Sequence, residues 1–146
     1  MSEQVFTIAA TWDSAAKRGM LANEDGSLKI AHGGAASLGG GNGIPNPEEL
    51  LLAAVSACFI QTWAIFLVKL QVPIAVPALD GSCELDVDPA GGFRVTKVDL
   101  APRVPAALWE SRRADVEKTL SLAEKYCIVS KAVKSALTLT VTPKFV

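Results

Sequence analysis

The residues of this chain whose types can carry nucleophilic, redox or metal chemistry are Cys58, Cys83, Cys127 and His32. A thiolate is the working nucleophile and metal ligand, whereas a cysteine buried without a partner is silenced as its pKa climbs. Cys58 falls 12 residues past Asn46, deep in an apolar segment, about three turns along if that segment is a helix. The helix dipole fades within the first turn, so an ionised Cys58 needs a cation brought from elsewhere in the fold. Cys127 lies 69 residues beyond Cys58. That is no CxxC motif, and a disulfide between them requires folding to bring their Cα atoms within about 7 Å. Cys83 alternates with Leu85 and Val87 and reads as a core residue. The steps of 26, 25 and 44 residues from His32 through Cys58 and Cys83 to Cys127 contain no close ligand pair. A zinc site usually has one, so no metal is expected. His32, next to Gly33 at a loop edge, reads as a solvated residue, and nothing local supports a Cys–His nucleophile pair.

The elements that must position these residues can be read from periodicity. Residues 5–12 alternate, with Phe6, Ile8, Ala10 and Trp12 on one side, as in a half-buried strand. Residues 18–31 read as two short strands turning at Glu24-Asp25-Gly26. Residues 33–45 hold six of the 11 glycines and read as a loop. A phosphate-binding loop would need GxxxxGK[ST], which is missing. At Asn46-Pro47-Glu48-Glu49 a preferred cap, a proline tolerated at the first helical position and two acids at the positive end of the dipole coincide. A helix is therefore predicted from here to Lys69 or Leu70, stopped by Pro73. Residues 79–88 and 93–101 form a predicted hairpin. Phe93 and Val95 do not share a face with Val98 and Leu100, which a bulge explains. Pro105 opens a second helix with the stripe Trp109, Val116, Leu120, Ala123 and Cys127. Arg113 falls on that stripe too, explicable only if its long side chain reaches outward. Residues 137–145 read as a final strand with Leu137, Leu139, Val141 and Phe145 on one face. The order implies an α+β fold in one domain, 1–146.

Composition narrows the class. The 146 residues are half hydrophobic and one-fifth charged, enough to build a core. Fourteen basic residues against 15 acidic give no electrostatic footprint for nucleic acid or an anionic membrane surface. An odd number of cysteines and Glu3 near the start argue against a secreted disulfide scaffold and a signal peptide. A reducing, cytoplasmic setting is expected. The uncharged run Leu50 to Val68 is just long enough to span a bilayer. Ser56, Gln61 and Thr62 interrupt it and no basic cluster flanks it, so a buried central helix is the preferred reading over a membrane span.

Taken together, these segments resemble a known family. Asn46-Pro47-Glu48-Glu49-Leu50 running to Ala57-Cys58-Phe59 resembles the first motif of OsmC/Ohr proteins, the osmotically inducible and organic hydroperoxide resistance family. Cys127-Ile128-Val129-Ser130 resembles the second, with Ile128 where the family commonly has proline. Lys17-Arg18-Gly19 after Trp12 is similar to its N-terminal arginine strand. The order of elements fits along residues 4–145.

The resemblance implies an OsmC-like fold, with antiparallel strands around a long buried central helix, in an entwined homodimer. It implies thiol-dependent reduction of organic hydroperoxides without a bound cofactor. Cys58 would be the peroxidatic thiol and Cys127 the resolving one. Arg18 would be the cation that keeps Cys58 ionised, and Glu48 the carboxylate that orients Arg18. A dithiol of lipoyl type would be the reductant. Phe59, Trp63 and Phe66 are candidate walls of an apolar substrate pocket, or plain core. Two other readings stand beside the peroxidase: a thiol–disulfide exchange or sensor protein using the same cysteine pair, and a non-enzymatic dimeric binding protein with structural cysteines.

Overall fold

The computed structural model describes residues 3–41 and 43–146. The fold is α+β. In chain order the elements are β1 (Ala9–Asp13), β2 (Arg18–Ala22), β3 (Lys29–His32), a 3₁₀ turn (Ala36–Leu38), α1 (Pro47–Lys69), β4 (Leu79–Val87), β5 (Phe93–Val104), α2 (Ala106–Tyr126), α3 (Ile128–Val133), β6 (Thr138–Val141) and β7 (Lys144–Phe145). They group into two compact units, one up to Leu50 and one from Leu51 to Val146.

The first unit is an antiparallel sheet in the order β1-β2-β3. Asp13 builds the first turn by accepting the N–H groups of Ala15 and Ala16 at 2.9 and 3.0 Å. Lys17 then takes a left-handed conformation (φ +53°), and Arg18 starts β2 opposite Asp13. Gly19 follows because a Cβ there would run into the Thr11 carbonyl and the His32 ring. The second turn falls at the expected Glu24–Gly26. The predicted strand at 5–12 shrinks to Ala9–Asp13, all of it exposed, as the edge of the sheet. His32 is not a freely solvated loop residue. It ends β3 half-buried, with its ring 5.8 Å from that of Trp12. The glycine-rich segment is a loop whose ends are tied by Gly33 N–H donating to the Pro45 carbonyl at 3.0 Å.

α1 begins at the expected residue. Asn46 Oδ1 accepts the Glu49 N–H at 2.8 Å, and its amide donates back to the Glu49 carboxylate at 2.6 Å. The helix ends at Lys69, before Pro73 acts, because Gln71 turns left-handed (φ +54°) and the Val72 N–H bonds the Leu67 carbonyl at 2.9 Å. Val55, Phe59, Trp63 and Leu67 form its buried stripe at a four-residue step. Ile65 and Val68 on the other side are open in the single chain. The helix is long and apolar enough to cross a membrane, yet that stripe is inserted into a packed core with Val98, Leu100, Val104, Val116 and Leu120.

The floor of this core is a sheet in the order β4-β5-β6. Gly81 in β4 admits α1 closely, since a Cβ would lie 3.1 Å from Ser56 Oγ and 3.2 Å from a Leu52 methyl. The expected bulge is present: Glu84 pairs with Lys97 but Leu85 with Val95, leaving Thr96 as the extra residue. The final predicted strand divides at Thr142-Pro143, because proline brings no N–H to a ladder. Both pieces run parallel to β5, β6 against Lys97–Leu100 and β7 against Arg103–Val104. Asp80 crosses these strands. It accepts Arg103 through two nitrogens, at 3.0 and 2.5 Å, and Lys144 at 3.2 Å.

α2 carries the predicted stripe with one interruption. Arg112 leaves helical geometry (φ −139°, ψ 38°) and sends its guanidinium to the Gln71 and Leu70 carbonyls at 2.6 and 3.3 Å. It thereby satisfies orphan acceptors at the end of α1. Arg113 stays outside, 4.9 Å from the Trp109 ring and 3.0 Å from the Glu117 carboxylate. Farther along, the Trp63 indole donates to Thr119 Oγ1 at 3.0 Å, with both residues at 0% exposure. Residues descending α1 meet residues ascending α2, so the helices run in opposite directions.

A candidate thiol site between α1 and the α2–α3 junction

The helix pairing that joins Leu70 to Arg112 and Trp63 to Thr119 continues to Cys58 and Cys127. These two thiols, 69 residues apart in the chain, lie close enough for each to shift the other's titration. Both are reduced. Cys58 is half-buried on α1, one step around from the core stripe. Cys127 has no exposed surface. It stands where α2 ends and α3 begins, its N–H bonded to the Ala123 carbonyl at 2.9 Å and its carbonyl accepting the Lys131 N–H at 3.1 Å.

The two sulfurs have opposite electrostatics. Burial pushes Cys58 up, but hydrogen bonds outweigh it. They come from the Val129 backbone, the Cys127 thiol and the Ile128 backbone, with a smaller contribution from Thr62, whose hydroxyl donates to the Cys58 carbonyl at 2.8 Å, and Cys58 ends below the ordinary thiol range. Burial pushes Cys127 up as well. There the Ser130 hydroxyl and backbone N–H oppose it, while Cys58 reinforces it, and Cys127 ends above the ordinary range. The Ser130 hydroxyl lies 3.0 Å from Cys127 Sγ and is itself 1% exposed. Cys127 is the N-cap residue of α3, and the Ser130 hydroxyl, not a side-chain cap bond, reaches its sulfur.

These donors were not visible in the residue types. Ile128 and Val129 act through backbone N–H groups, which any residue but proline carries. In the sequence Ser130 stands out only as part of a motif and Thr62 only as an interruption of an apolar run. The lowering of Cys58 arises here from neutral donors, without a cation among its causes.

The other two candidates lie in the first unit. Arg18 is exposed at the start of β2. Glu48 is on the first turn of α1, and its Oε2 is buried without a hydrogen-bond partner among the described residues. Among the described residues Arg18 and Glu48 form no ion pair with each other. Phe59 and Trp63 are wholly buried and serve as core, so they do not face an open pocket. Phe66 is half-buried with its ring 5.6 Å from that of Tyr126. Cys83 is half-buried and packs against the core cluster, as its alternation predicted. No group of three or more His, Cys, Asp or Glu side chains among the described residues is placed to hold a metal ion.

Residues 39–142 match a family model described as OsmC-like protein. The organic hydroperoxide resistance protein-like 2 of Staphylococcus epidermidis is 30% identical over 97 residues, which are 66% of this chain and 65% of that protein's length. Among solved structures, an organic hydroperoxide resistance protein of Legionella pneumophila superposes with a TM-score of 0.79 at 21% identity. That match covers 97% of this chain and 99% of the other. The organic hydroperoxide resistance protein OhrB of Bacillus subtilis superposes with a TM-score of 0.72 at 24% identity, covering 95% and 98%. At such identities the superpositions speak to the fold. The family model spans both cysteine motifs, and on that span the chain belongs to the OsmC-like family.

Proposed function

We propose that this protein is a thiol-dependent peroxidase that reduces organic hydroperoxides to alcohols. The observation that carries the reading is the closeness of Cys58 and Cys127, with the reachable sulfur acidified and the buried one held as a thiol. The Cys58 thiolate attacks the terminal peroxide oxygen. The O–O bond breaks, and the alkoxide leaves as alcohol after taking a proton. The resulting Cys58 sulfenic acid condenses with the Cys127 thiol, releasing water and forming a disulfide before further oxidation can occur. A dithiol of lipoyl type, acting in a reducing cytoplasm, returns both thiols by exchange.

Arg18 is the proposed cation for the Cys58 thiolate and Glu48 its orienting carboxylate. The orphan Oε2 of Glu48 supports that role, because a buried carboxylate oxygen calls for a donor. The open side of α1, with Ile65 and Val68 exposed, supports a homodimer in which a second copy covers it.

The test is stopped-flow oxidation of the reduced protein by cumene hydroperoxide and by hydrogen peroxide, with mass spectrometry of the products. The expected result is preference for the organic peroxide, ending in a Cys58–Cys127 disulfide, and loss of reaction in Cys58→Ser. Unchanged thiols with both peroxides would remove the peroxidase reading. Fast reaction with a small disulfide but not with peroxides would make the protein a thiol–disulfide exchanger.

A further inference from the structure

We propose that Ser130 is a positioning residue that makes Cys127 the sulfur expelled when an external thiol reopens the Cys58–Cys127 disulfide. The inference rests on the thiol-pair chemistry proposed above and concerns its regeneration half.

Reduction begins when an external thiolate attacks one sulfur in line with the S–S bond, and the other sulfur departs as a thiolate. Two considerations oppose each other. Acidity favours expelling Cys58, since the more acidic thiol leaves faster. Access favours the opposite, because Cys127 has 0% exposure while Cys58 is half-buried. Access decides, since an incoming thiol cannot form a bond to a sulfur it cannot touch. The new bond therefore forms to Cys58, the Cys58–Cys127 bond breaks, and its electron pair goes to Cys127.

That outcome places a negative charge on a fully buried sulfur, which is costly without donors. Ser130 supplies them. Its hydroxyl lies 3.0 Å from Cys127 Sγ, its backbone N–H also lowers that thiol's pKa, and its 1% exposure removes competing water. The third position of α3 fixes Ser130 relative to Cys127, so these donors stand ready before the bond breaks. Part of what raises Cys127 in the dithiol is Cys58 itself. That part vanishes once Cys58 carries the external thiol, leaving burial as the cost that Ser130 offsets.

The test starts from protein oxidised with diamide, so it does not depend on peroxide turnover. A stoichiometric pulse of 2-mercaptoethanol is quenched with acid, free thiols are alkylated, and peptides are mapped. The expected adduct sits on Cys58 with Cys127 alkylated. Ser130→Ala slows opening of the disulfide about tenfold, the loss of one hydrogen bond to a charged group, and Ser130→Thr, which keeps the hydroxyl, recovers most of the rate. In a Cys58→Ala background, Ser130→Ala moves the Cys127 thiolate absorbance at 240 nm to higher pH, which a purely structural role would not do. An adduct on Cys127, or reduction of the Ser130→Ala disulfide at the parent rate, overturns the assignment and leaves the peroxidase reading intact. Failure of diamide to form any Cys58–Cys127 disulfide overturns both.

Discussion

Replacing Thr119 by valine isolates a single interaction between the two helices that carry the thiols. Valine matches threonine in shape, so it opens no cavity and removes only the hydroxyl. That hydroxyl accepts the Trp63 indole N–H at 3.0 Å and donates to the Val116 carbonyl at 2.7 Å. The carbonyl keeps its helical partner, but the indole N–H is stranded where both residues have 0% exposure. A stranded buried donor costs about 1–3 kcal/mol. For a chain of this size that lowers the melting temperature by roughly 2–4 °C per kcal/mol. Thr119→Ser keeps the acceptor and should lose only the contribution of a methyl group, about 1 kcal/mol. Trp63→Phe opens space in either background but relieves the stranded donor only beside valine. The double variant should therefore be less destabilised than the sum of the single ones by about 1–3 kcal/mol. Urea unfolding followed by far-UV circular dichroism at fixed protein concentration measures all four corners. If Thr119→Val unfolds within about 0.3 kcal/mol of the parent, or the two costs simply add, the hydrogen bond does not contribute as described.

Ile128→Pro should fold, because proline suits the first position of α3 and Cys127 already has the extended ψ of 111° that a residue before proline adopts. It removes one N–H from Cys58, so the thiolate absorbance of Cys58 should shift to higher pH; an unmoved titration would discount that donor. Alkylation by iodoacetamide should reach its half-maximal rate at lower pH for Cys58 than for a free thiol, falling as pH drops through the Cys58 midpoint and the sulfur gains a proton. Peptide mapping across the titration would expose the opposite order. Arg103 and Lys144 hold the Asp80 carboxyl well below the usual carboxylate range. The stability this gives is present above the unfolded pKa and fades as pH falls through the depressed one. Asp80→Asn should thus differ from the parent at neutral pH and converge on it in strong acid, and a difference that persists there would count against the ion pairs.

Local signals carried much of the fold. The cap at Asn46 and the proline beside it mark the start of α1 because capping is settled within four residues. The bulge in β5 was legible because alternation changes phase around Thr96. What depended on partners distant in sequence was not. The break in α2 exists because Arg112 meets carbonyls at Leu70 and Gln71, and no periodicity within α2 announces that. Nothing in the apolar stripe of α2 marks Thr119, whose hydroxyl serves Trp63 from the other helix. The cysteines could be named from their motifs, but the donors around Cys58 include backbone groups, which leave no mark in residue type.

The proposed Cys58–Cys127 disulfide would also make oxidation a thermodynamic partner of folding. Closing a loop of that length removes freedom from the unfolded chain worth about 4 kcal/mol. Around a closed cycle the folded protein must favour the S–S bond over its unfolded chain by the same amount. Anything that loosens the fold then weakens the disulfide, and anything that reduces the disulfide loosens the fold. The melting temperature would then gauge redox state, and a chain oxidised at that pair is expected to melt roughly 10 °C above the reduced one.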